Sequence, residues 1–177
     1  MSDKDASAGG AETETTGEGF WDWSNRVYRL PGVADRLIAL QDAHRLDVNL
    51  VLWCAWTGLT RGAVKPKSVR KALAASEDWN SQVVKPLRAA RKALKSAPDE
   101  ADGADALKKK VKEAELDAER IEQSLLEGIA PTDTESAASA EAALANLQTY
   151  RAAADAQCPD DVFETLIAAL TAETDAD

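Results

Sequence analysis

Residues 46–59 read LDVNLVLWCAWTGL, and the packing of the rest of the chain follows from them. After two polar side chains, Asp47 and Asn49, the stretch is apolar on nearly every side at helical spacing, which is typical of a helix enclosed by other helices. Asp47 is a good N-cap, because its carboxylate can accept from the amides of Asn49 or Leu50 and favours the positive helix end. The stretch therefore predicts the central helix of a bundle.

The composition favours an all-α, single-domain helical bundle. Gly and Pro number only 9 and 6 among 177 residues, helix-forming residues dominate, and β-branched runs bounded by turn residues are rare. No apolar run is long enough for a membrane span, and the N-terminus lacks the features of a signal peptide. We therefore expect a soluble, cytoplasmic protein in which Cys54 and Cys158 are free thiols.

Changes in composition divide the chain into segments. Residues 1–18 carry almost no aliphatic side chain larger than alanine, so they are predicted to be a disordered tail, and residues 172–177 form a second one. The helical bundle is expected over residues 19–171. Its parts are an aromatic three-helix unit over 19–62, a basic and acidic helical hairpin region over 63–128, and C-terminal helices over 135–171.

Residues 63–128 predict a long antiparallel helical hairpin. The first arm reads as a short helix over 66–74, a break, and a helix capped by Ser76 that runs to Lys95 with a kink at Pro86. The second arm carries apolar side chains at alternating spacings of four and three, as the core seam of a coiled coil does. Because the seam is under three heptads long, we expect it to pack on the first arm and not in an intermolecular coil. The seam residues are Leu107, Val111, Ala114, Ala118, Ile121 and Leu125.

Charge is unevenly distributed along the chain. Residues 61–95 hold ten basic and two acidic side chains, whereas residues 96–177 hold six basic and twenty acidic ones. The positive segment could bind phosphate or an acidic partner, or pair with the acidic half of its own chain. The overall net charge of −10 opposes approach to nucleic acid. The candidate residues for an anionic partner are Arg88, Arg91, Lys92 and Lys95.

The sequence offers no catalytic constellation. His44 is the only histidine, which removes most metal sites and most pairs of nucleophile and base. No glycine-rich phosphate loop follows a strand. We therefore predict no catalytic residue, no metal and no cofactor, and the balance leans away from an enzyme.

The aromatic N-terminal region provides the best candidate site. Asn49, Trp53 and Trp56 share one helix face, so a polar amide lies beside two indoles. A buried amide without partners costs about 1 to 3 kcal/mol, so Asn49 must bond Gln41, Asp42, a backbone group, an indole N–H or a ligand. Either this cluster fixes how three helices meet, or it lines a pocket or partner groove. The candidate binding residues are Trp21, Tyr28, Gln41, Asp42, Asn49, Trp53 and Trp56.

Several motifs of this region occur together in a known family. They are F-W-D-W-S from Phe20, V-Y from Val27, P-G-V-A from Pro31, L-Q-D from Leu40 and L-D-V-N from Leu46. In this pattern residues 20–56 closely, and residues 79–127 more loosely, resemble a family of small bacterial proteins grouped as domain of unknown function 2390. Arginine occupies position 45, where the family pattern has glycine. Because the family carries no assigned activity, the resemblance implies no catalytic role.

Together these observations favour a non-catalytic protein-interaction or adaptor module that binds a protein partner. One alternative is a small-ligand-binding protein or enzyme with a pocket beside Asn49, Trp53 and Trp56. Another is a nucleic-acid accessory protein that uses the basic segment 61–95. The sequence predicts neither the identity of the partner nor the oligomeric state.

Overall fold

The computed structural model describes residues 18–96 and 102–172, and within these ranges it contains helices and no strand. The predicted all-α fold is therefore confirmed for this part of the chain, where no helix is long and apolar enough to cross a membrane. The two predicted disordered tails lie outside it, apart from Glu18 and Ala172. The helices are α1 (Phe20–Tyr28), α2 (Val33–His44), α3 (Val48–Thr60), α4 (Pro66–Trp79), α5 (Lys85–Lys95), α6 (Ala104–Ile129), α7 (Ala140–Ala153) and α8 (Asp160–Thr171).

Helix α3 lies at the centre of the bundle. All nine residues from Leu50 to Gly58 are buried, and α1, α2, α4, α6, α7 and α8 each contribute side chains to one apolar cluster around them. The N-terminus is capped as predicted, because the Asp47 carboxylate accepts from the Asn49 amide at 2.8 Å and from the Leu50 amide at 3.2 Å. The predictions of an enclosed central helix and of its cap are thus confirmed.

Helix α7 packs closely on α3. A β-carbon on Gly58 would lie 2.2 Å from the Cα of Ala143, so only glycine fits at this position. Beside this contact, the buried amide of Asn146 donates to the Cys54 carbonyl at 3.2 Å and accepts from the Val64 amide at 2.8 Å. Close approach and a satisfied buried amide together fix α7 against the central helix.

The turn between α2 and α3 contains Arg45, the residue that replaces the expected glycine. Its φ of 57° and ψ of 26° lie in the left-handed region. The Arg45 amide donates to the Gln41 carbonyl at 3.0 Å, and the Leu46 amide donates to the Leu40 carbonyl at 3.3 Å. This pair of bonds is the one that ends many helices on a left-handed residue. The turn therefore keeps a conformation suited to glycine, at a cost of about 1 kcal/mol for a residue with a β-carbon.

The first arm of the hairpin region is one continuous rod, so the predicted break after residue 74 is wrong. Helix α4 runs without interruption to Trp79, a single π-helical turn follows at Asn80–Val84, and α5 begins at Lys85. Ser76 is buried inside α4 and does not cap a helix. The π turn lies immediately before Pro86, and its wider spacing relieves the clash of the proline ring with the preceding turn. We call this unit the α4–α5 rod.

The α4–α5 rod and α6 run antiparallel. Ser76 bonds to Glu122, the Trp79 indole donates to the Ala118 carbonyl at 2.9 Å, and Arg91 pairs with Glu115, so residue numbers rise along one helix as they fall along the other. Helix α5 buries none of its own residues, and in α6 every buried residue lies at or after Glu115. The far ends of the two helices are therefore held together at the surface.

Helix α6 leaves most of its predicted coiled-coil seam exposed, and Ala118 is the one seam residue that it buries. Leu107, Ile121 and Leu125 are 50%, 47% and 45% exposed. The seam is turned by roughly 80° from the inward face, as follows from 100° per residue. The expectation that this seam packs on the first arm is therefore wrong except at Ala118, which contacts Trp79 of the rod, because the rod offers cations and hydroxyls to the neighbouring polar face instead. The buried residues of α6 are Glu115, Ala118, Glu122, Gln123 and Leu126.

Candidate binding cleft

A cleft with a volume of about 280 Å³ opens between α1, α2, α3, the π turn, α5 and α6. Four of the predicted binding residues, Trp21, Tyr28, Gln41 and Asn49, line it. Exposed aromatic and aliphatic side chains form its rim, and buried polar groups form its floor. Arg88 also lines the cleft, although it was assigned to a different candidate site. The other polar lining residues that the predicted set did not contain are Ser24, Asn25, Asp47, Asn80, Glu119, Glu122 and Gln123.

Asn49 has its hydrogen-bond partners on α6. Its side-chain N–H donates to Oε2 of Glu122 at 3.0 Å, and its side-chain carbonyl accepts from Nε2 of Gln123 at 2.9 Å. Gln123 in turn accepts from the Ser24 hydroxyl at 2.7 Å. These partners differ from the ones expected from the sequence, which were nearby side chains, backbone groups, indoles or a ligand. A chain of hydrogen bonds thus joins α1, α3 and α6.

Glu122 is the buried acid at the centre of this chain. Only 1% of the residue is exposed, and the Ser76 hydroxyl donates to its Oε1 while Asn49 donates to its Oε2. Burial, followed by the negative charge of Asp47, raises the pKa of Glu122 to about 7. Its carboxyl group is therefore partly protonated near neutral pH.

Asp47 connects the cap of α3 to the π turn. One carboxylate oxygen accepts from the first amides of α3, and the other accepts from the side chain of Asn80 at 2.8 Å. Its backbone N–H donates to the Tyr150 hydroxyl at 2.9 Å. Burial raises the pKa of Asp47, although the bonds from the Leu50 and Asn49 amides act in the opposite direction. The π turn therefore contributes to the cleft through Asn80.

The arginines of α5 are engaged by acids of α6. Arg88 contacts Glu115 at 3.1 Å and Glu119 at 3.0 Å, and Arg91 also pairs with Glu115. The Arg91 guanidinium lowers the pKa of Glu115, whereas burial raises the pKa of Glu119. Two predicted residues for an anionic partner thus neutralise the chain's own carboxylates. The other two are exposed on the same helix: Lys92 and Lys95.

Three predicted binding residues do not line the cleft. Trp53 is fully buried, and its indole donates to the Leu126 carbonyl at 2.8 Å. Trp56 stacks on Phe20 with ring centroids 5.2 Å apart, and among the described residues its buried indole N–H has no hydrogen-bond partner. Asp42 is exposed on α2. The two indoles belong to the core because α3 is enclosed on all sides.

The acids of α6 are not among the predicted site residues, because the apolar seam indicated that another face of the helix is buried. A signal for them does exist in the sequence. Glu115, Ala118 and Glu122 repeat at helical spacing, and a small residue between two carboxylates on one face indicates contact with another helix. Together with an Asn49 that needs partners, this pattern could have located Glu122.

Nucleophilic and metal-binding groups lie elsewhere. Across residues 18–96 and 102–172, no group of three or more His, Cys, Asp or Glu is placed to hold a metal ion. Cys54 is fully buried in α3, and burial raises the pKa of its thiol. His44 places Nδ1 at 2.6 Å from the Gln157 carbonyl oxygen and does not line the cleft. The cleft thus offers carboxyls, amides, a guanidinium and aromatic rings.

Comparison with known proteins shows which family the cleft-forming part of the chain belongs to. The sequence model of the family described as Protein of unknown function (DUF2390) matches residues 19–126. This match spans more than half of the chain and includes every residue that lines the cleft. No match was found among curated proteins or among solved structures. The chain therefore belongs to the DUF2390 family.

Proposed function

We propose that the protein is a non-catalytic binding module whose cleft receives a positively charged side chain of a protein partner. The observation that carries this proposal is the charge of the cleft. Three carboxyl groups line it, those of Asp47, Glu119 and Glu122, and the lining residue that opposes them is Arg88. Arg88 is already paired with Glu119. A cation from outside would supply the positive charge that the buried carboxyl of Glu122 and the partly buried carboxyls of Asp47 and Glu119 lack.

The rim of the cleft suits the residues that flank the charged side chain in such a partner. Tyr28, Ile38 and Leu116 are 41%, 46% and 56% exposed, and Trp21 lies beside them in the lining. Exposed aromatic and aliphatic side chains are favoured anchors in protein interfaces, and aromatic faces attract ammonium and guanidinium groups. The rim therefore favours a segment in which arginine or lysine is flanked by apolar residues.

The bonds of Glu122 favour binding over proton transfer. A carboxyl group with a pKa of about 7 suits a general base. Both oxygens of Glu122, however, already accept hydrogen bonds, from Ser76 and from Asn49. A reacting proton would have to displace one of these donors, whereas a cation gains from the negative charge without breaking either bond. Because both carboxyl oxygens already accept hydrogen bonds, we propose a binding site and not a catalytic one.

Binding of a cation should release protons from the cleft. The positive charge stabilises the ionised form of Glu122 and lowers its pKa, so the ligand and the proton compete. We therefore expect affinity to fall as the pH drops from about 8 to about 6, across the pKa of about 7. Salt should weaken binding as well, although less for the buried carboxyl than for exposed charges.

The proposal can be tested by titration calorimetry with short peptides of the form Leu-X-Leu, blocked at both ends, in which X is arginine, lysine or glutamine. We expect the arginine and lysine peptides to bind and the glutamine peptide to bind at least tenfold more weakly. Glu122→Gln should remove most of this preference and its pH dependence. Glu164→Gln is the matched control, because Glu164 is exposed on α8, outside the cleft.

Free side-chain analogues separate a protein partner from a small cation. Ethylguanidinium and butylammonium carry the same charge as arginine and lysine without the flanking apolar residues. Weaker binding of these analogues than of the peptides supports a protein partner that uses the rim, and Leu116→Ser should then weaken only the peptides. Equal binding of analogues and peptides would instead favour a small organic cation. Equal affinity for the arginine and glutamine peptides would overturn the proposal.

A further inference from the structure

An apolar stripe runs along the outer side of α6. Leu107, Ile121 and Leu125 are about half exposed, and Ala114 between them is exposed too. The spacing is the one that lets a helix bury a seam against a second helix, yet the α4–α5 rod packs on a different face. We call this stripe the α6 seam. Its residues are Leu107, Val111, Ala114, Ile121 and Leu125.

Two exposed charges of opposite sign flank the α6 seam on one side. Lys110 directly precedes Val111 in the seam, and Asp117 lies one heptad further along. Both therefore occupy the same position of the repeat, next to the apolar contact, where charges choose the partner and its orientation. When two such helices pair antiparallel, this position on one helix meets the same position on the other.

We propose that the α6 seam binds the α6 seam of a second copy of this chain, in antiparallel orientation. With Lys110 of each copy set beside Asp117 of the other, both charge pairs form at once. In the same register Val111 faces Ala114 of the second copy, and Leu107 packs between Ala114 and Ile121 of that copy, above Ala118, which is buried against its own rod. A large residue thus meets a small one at Val111 and Ala114, which lets the two helices approach closely there.

Electrostatic interactions favour this register over a register shifted by one heptad and over a parallel pair. A shift by one heptad toward the C-terminus places Asp117 of one copy beside Asp117 of the other, which is unfavourable. A parallel pair brings together the lysines 108, 109, 110 and 112 of both copies. The antiparallel pair instead sets this basic half of each helix against the acidic half of the other, and its two-fold symmetry closes the assembly.

The dimer leaves the cleft open. Leu116, which belongs to the cleft, lies about 180° around α6 from Leu107 at 100° per residue. The seam spans under three heptads, so the contact buries less than the roughly 1,600 Å² of a standard interface. We therefore expect dissociation constants on the order of 10 μM, and a protein that is monomeric when dilute.

Sedimentation equilibrium of the full chain from about 5 to about 200 μM tests the proposal. We expect a shift from monomer to dimer across this range. Leu107→Glu should abolish the shift, whereas Leu116→Glu should leave it unchanged, because this leucine is equally exposed on the same helix but outside the seam. Circular dichroism checks that both variants stay helical. A monomer at every concentration, or equal loss in both variants, would overturn the proposal.

A charge swap tests the register. Lys110→Asp and Asp117→Lys should each weaken the dimer about tenfold, because each places like charges together twice. The double variant carrying both changes restores both pairs and should recover the wild-type dissociation constant. A double variant as weak as the single ones rules out this register, and single variants with unchanged association rule out the antiparallel contact through these residues.

Discussion

Helices α3 and α6 differ in how far their sequence pattern predicts what they bury. Helix α3 is apolar on nearly every side and is buried from Leu50 to Gly58. Helix α6 carries an apolar stripe, yet it turns that stripe outward and buries Glu115 and Glu122. An apolar face therefore indicates what a helix can bury, whereas the groups supplied by neighbouring helices decide what it does bury. Arg88 and Arg91 supply those groups for Glu115, and Ser76 and Asn49 supply them for Glu122.

The sharpest test of this comparison removes one large apolar side chain from each helix. Trp53→Ala in α3 should lower the free energy of unfolding by about 4 kcal/mol, because it leaves a cavity and removes the bond to the Leu126 carbonyl. Ile121→Ala in α6 should change it by under about 0.5 kcal/mol in dilute protein. Guanidinium unfolding followed by circular dichroism measures both. Comparable losses would show that α6 is as enclosed as α3.

Charge reversal on α5 tests the polar face of α6. Arg88→Glu combined with Arg91→Glu should destabilise the fold by about 2 to 3 kcal/mol, because Glu115 is buried and would lose both of its cations. Lys92→Glu combined with Lys95→Glu makes the same charge change at exposed positions and should alter stability little. Urea unfolding at low salt compares the two variants. If they are equally stable, the buried ion pairs do not hold the hairpin together.

The buried acid of α6 should make stability depend on pH. The pKa of Glu122 is raised from 4.5 to about 7 in the fold, so its protonated form stabilises the folded chain. That contribution is present below about pH 4.5 and is lost as the pH rises through 7. Glu122→Gln should remove this loss, which amounts to about 2 kcal/mol between pH 5 and pH 8. Unfolding curves of both proteins at several pH values measure it, and parallel pH profiles would contradict it.

The smallest expected effect lies in the turn that leads into α3. Arg45→Gly should stabilise the protein by about 0.5 to 1 kcal/mol, because glycine adopts a φ of 57° without a clash of its β-carbon. Arg36→Gly is the contrasting change, since Arg36 is inside α2 and glycine there should destabilise by about 1 kcal/mol. A loss of stability in Arg45→Gly would mean that contacts of the arginine side chain stabilise the fold by more than its left-handed backbone conformation costs.

The N-terminal half of the fold could be predicted because its signals are local. The cap at Asp47 and the burial of α3 depend on neighbours in sequence, and helical spacing alone reveals them. The partners of Asn49 could not be predicted, because Glu122 and Gln123 are more than seventy residues away. Their position depends on how the hairpin docks on α3, which no local pattern encodes.

The predictions for the α4–α5 rod and for the α6 seam were wrong in part, for a different reason. Pro86 predicted a kink, and the backbone accommodates the proline with a π turn, whose Asn80 side chain then reaches Asp47. The heptad pattern of α6 is real, and only its assignment to the α4–α5 rod was wrong. In both cases the sequence identified a feature and left open which neighbour would accommodate it.

The surface-held ends of the hairpin make this part of the fold the easiest to open. Helix α5 buries none of its residues, and α6 buries none before Glu115. Amide protons in the first ten residues of α6 should therefore exchange with solvent by local opening. The amide protons of α3 should exchange much more slowly, because their exchange requires global unfolding. If two copies pair through these same residues, their exchange should slow as protein concentration rises, while exchange in α3 stays the same.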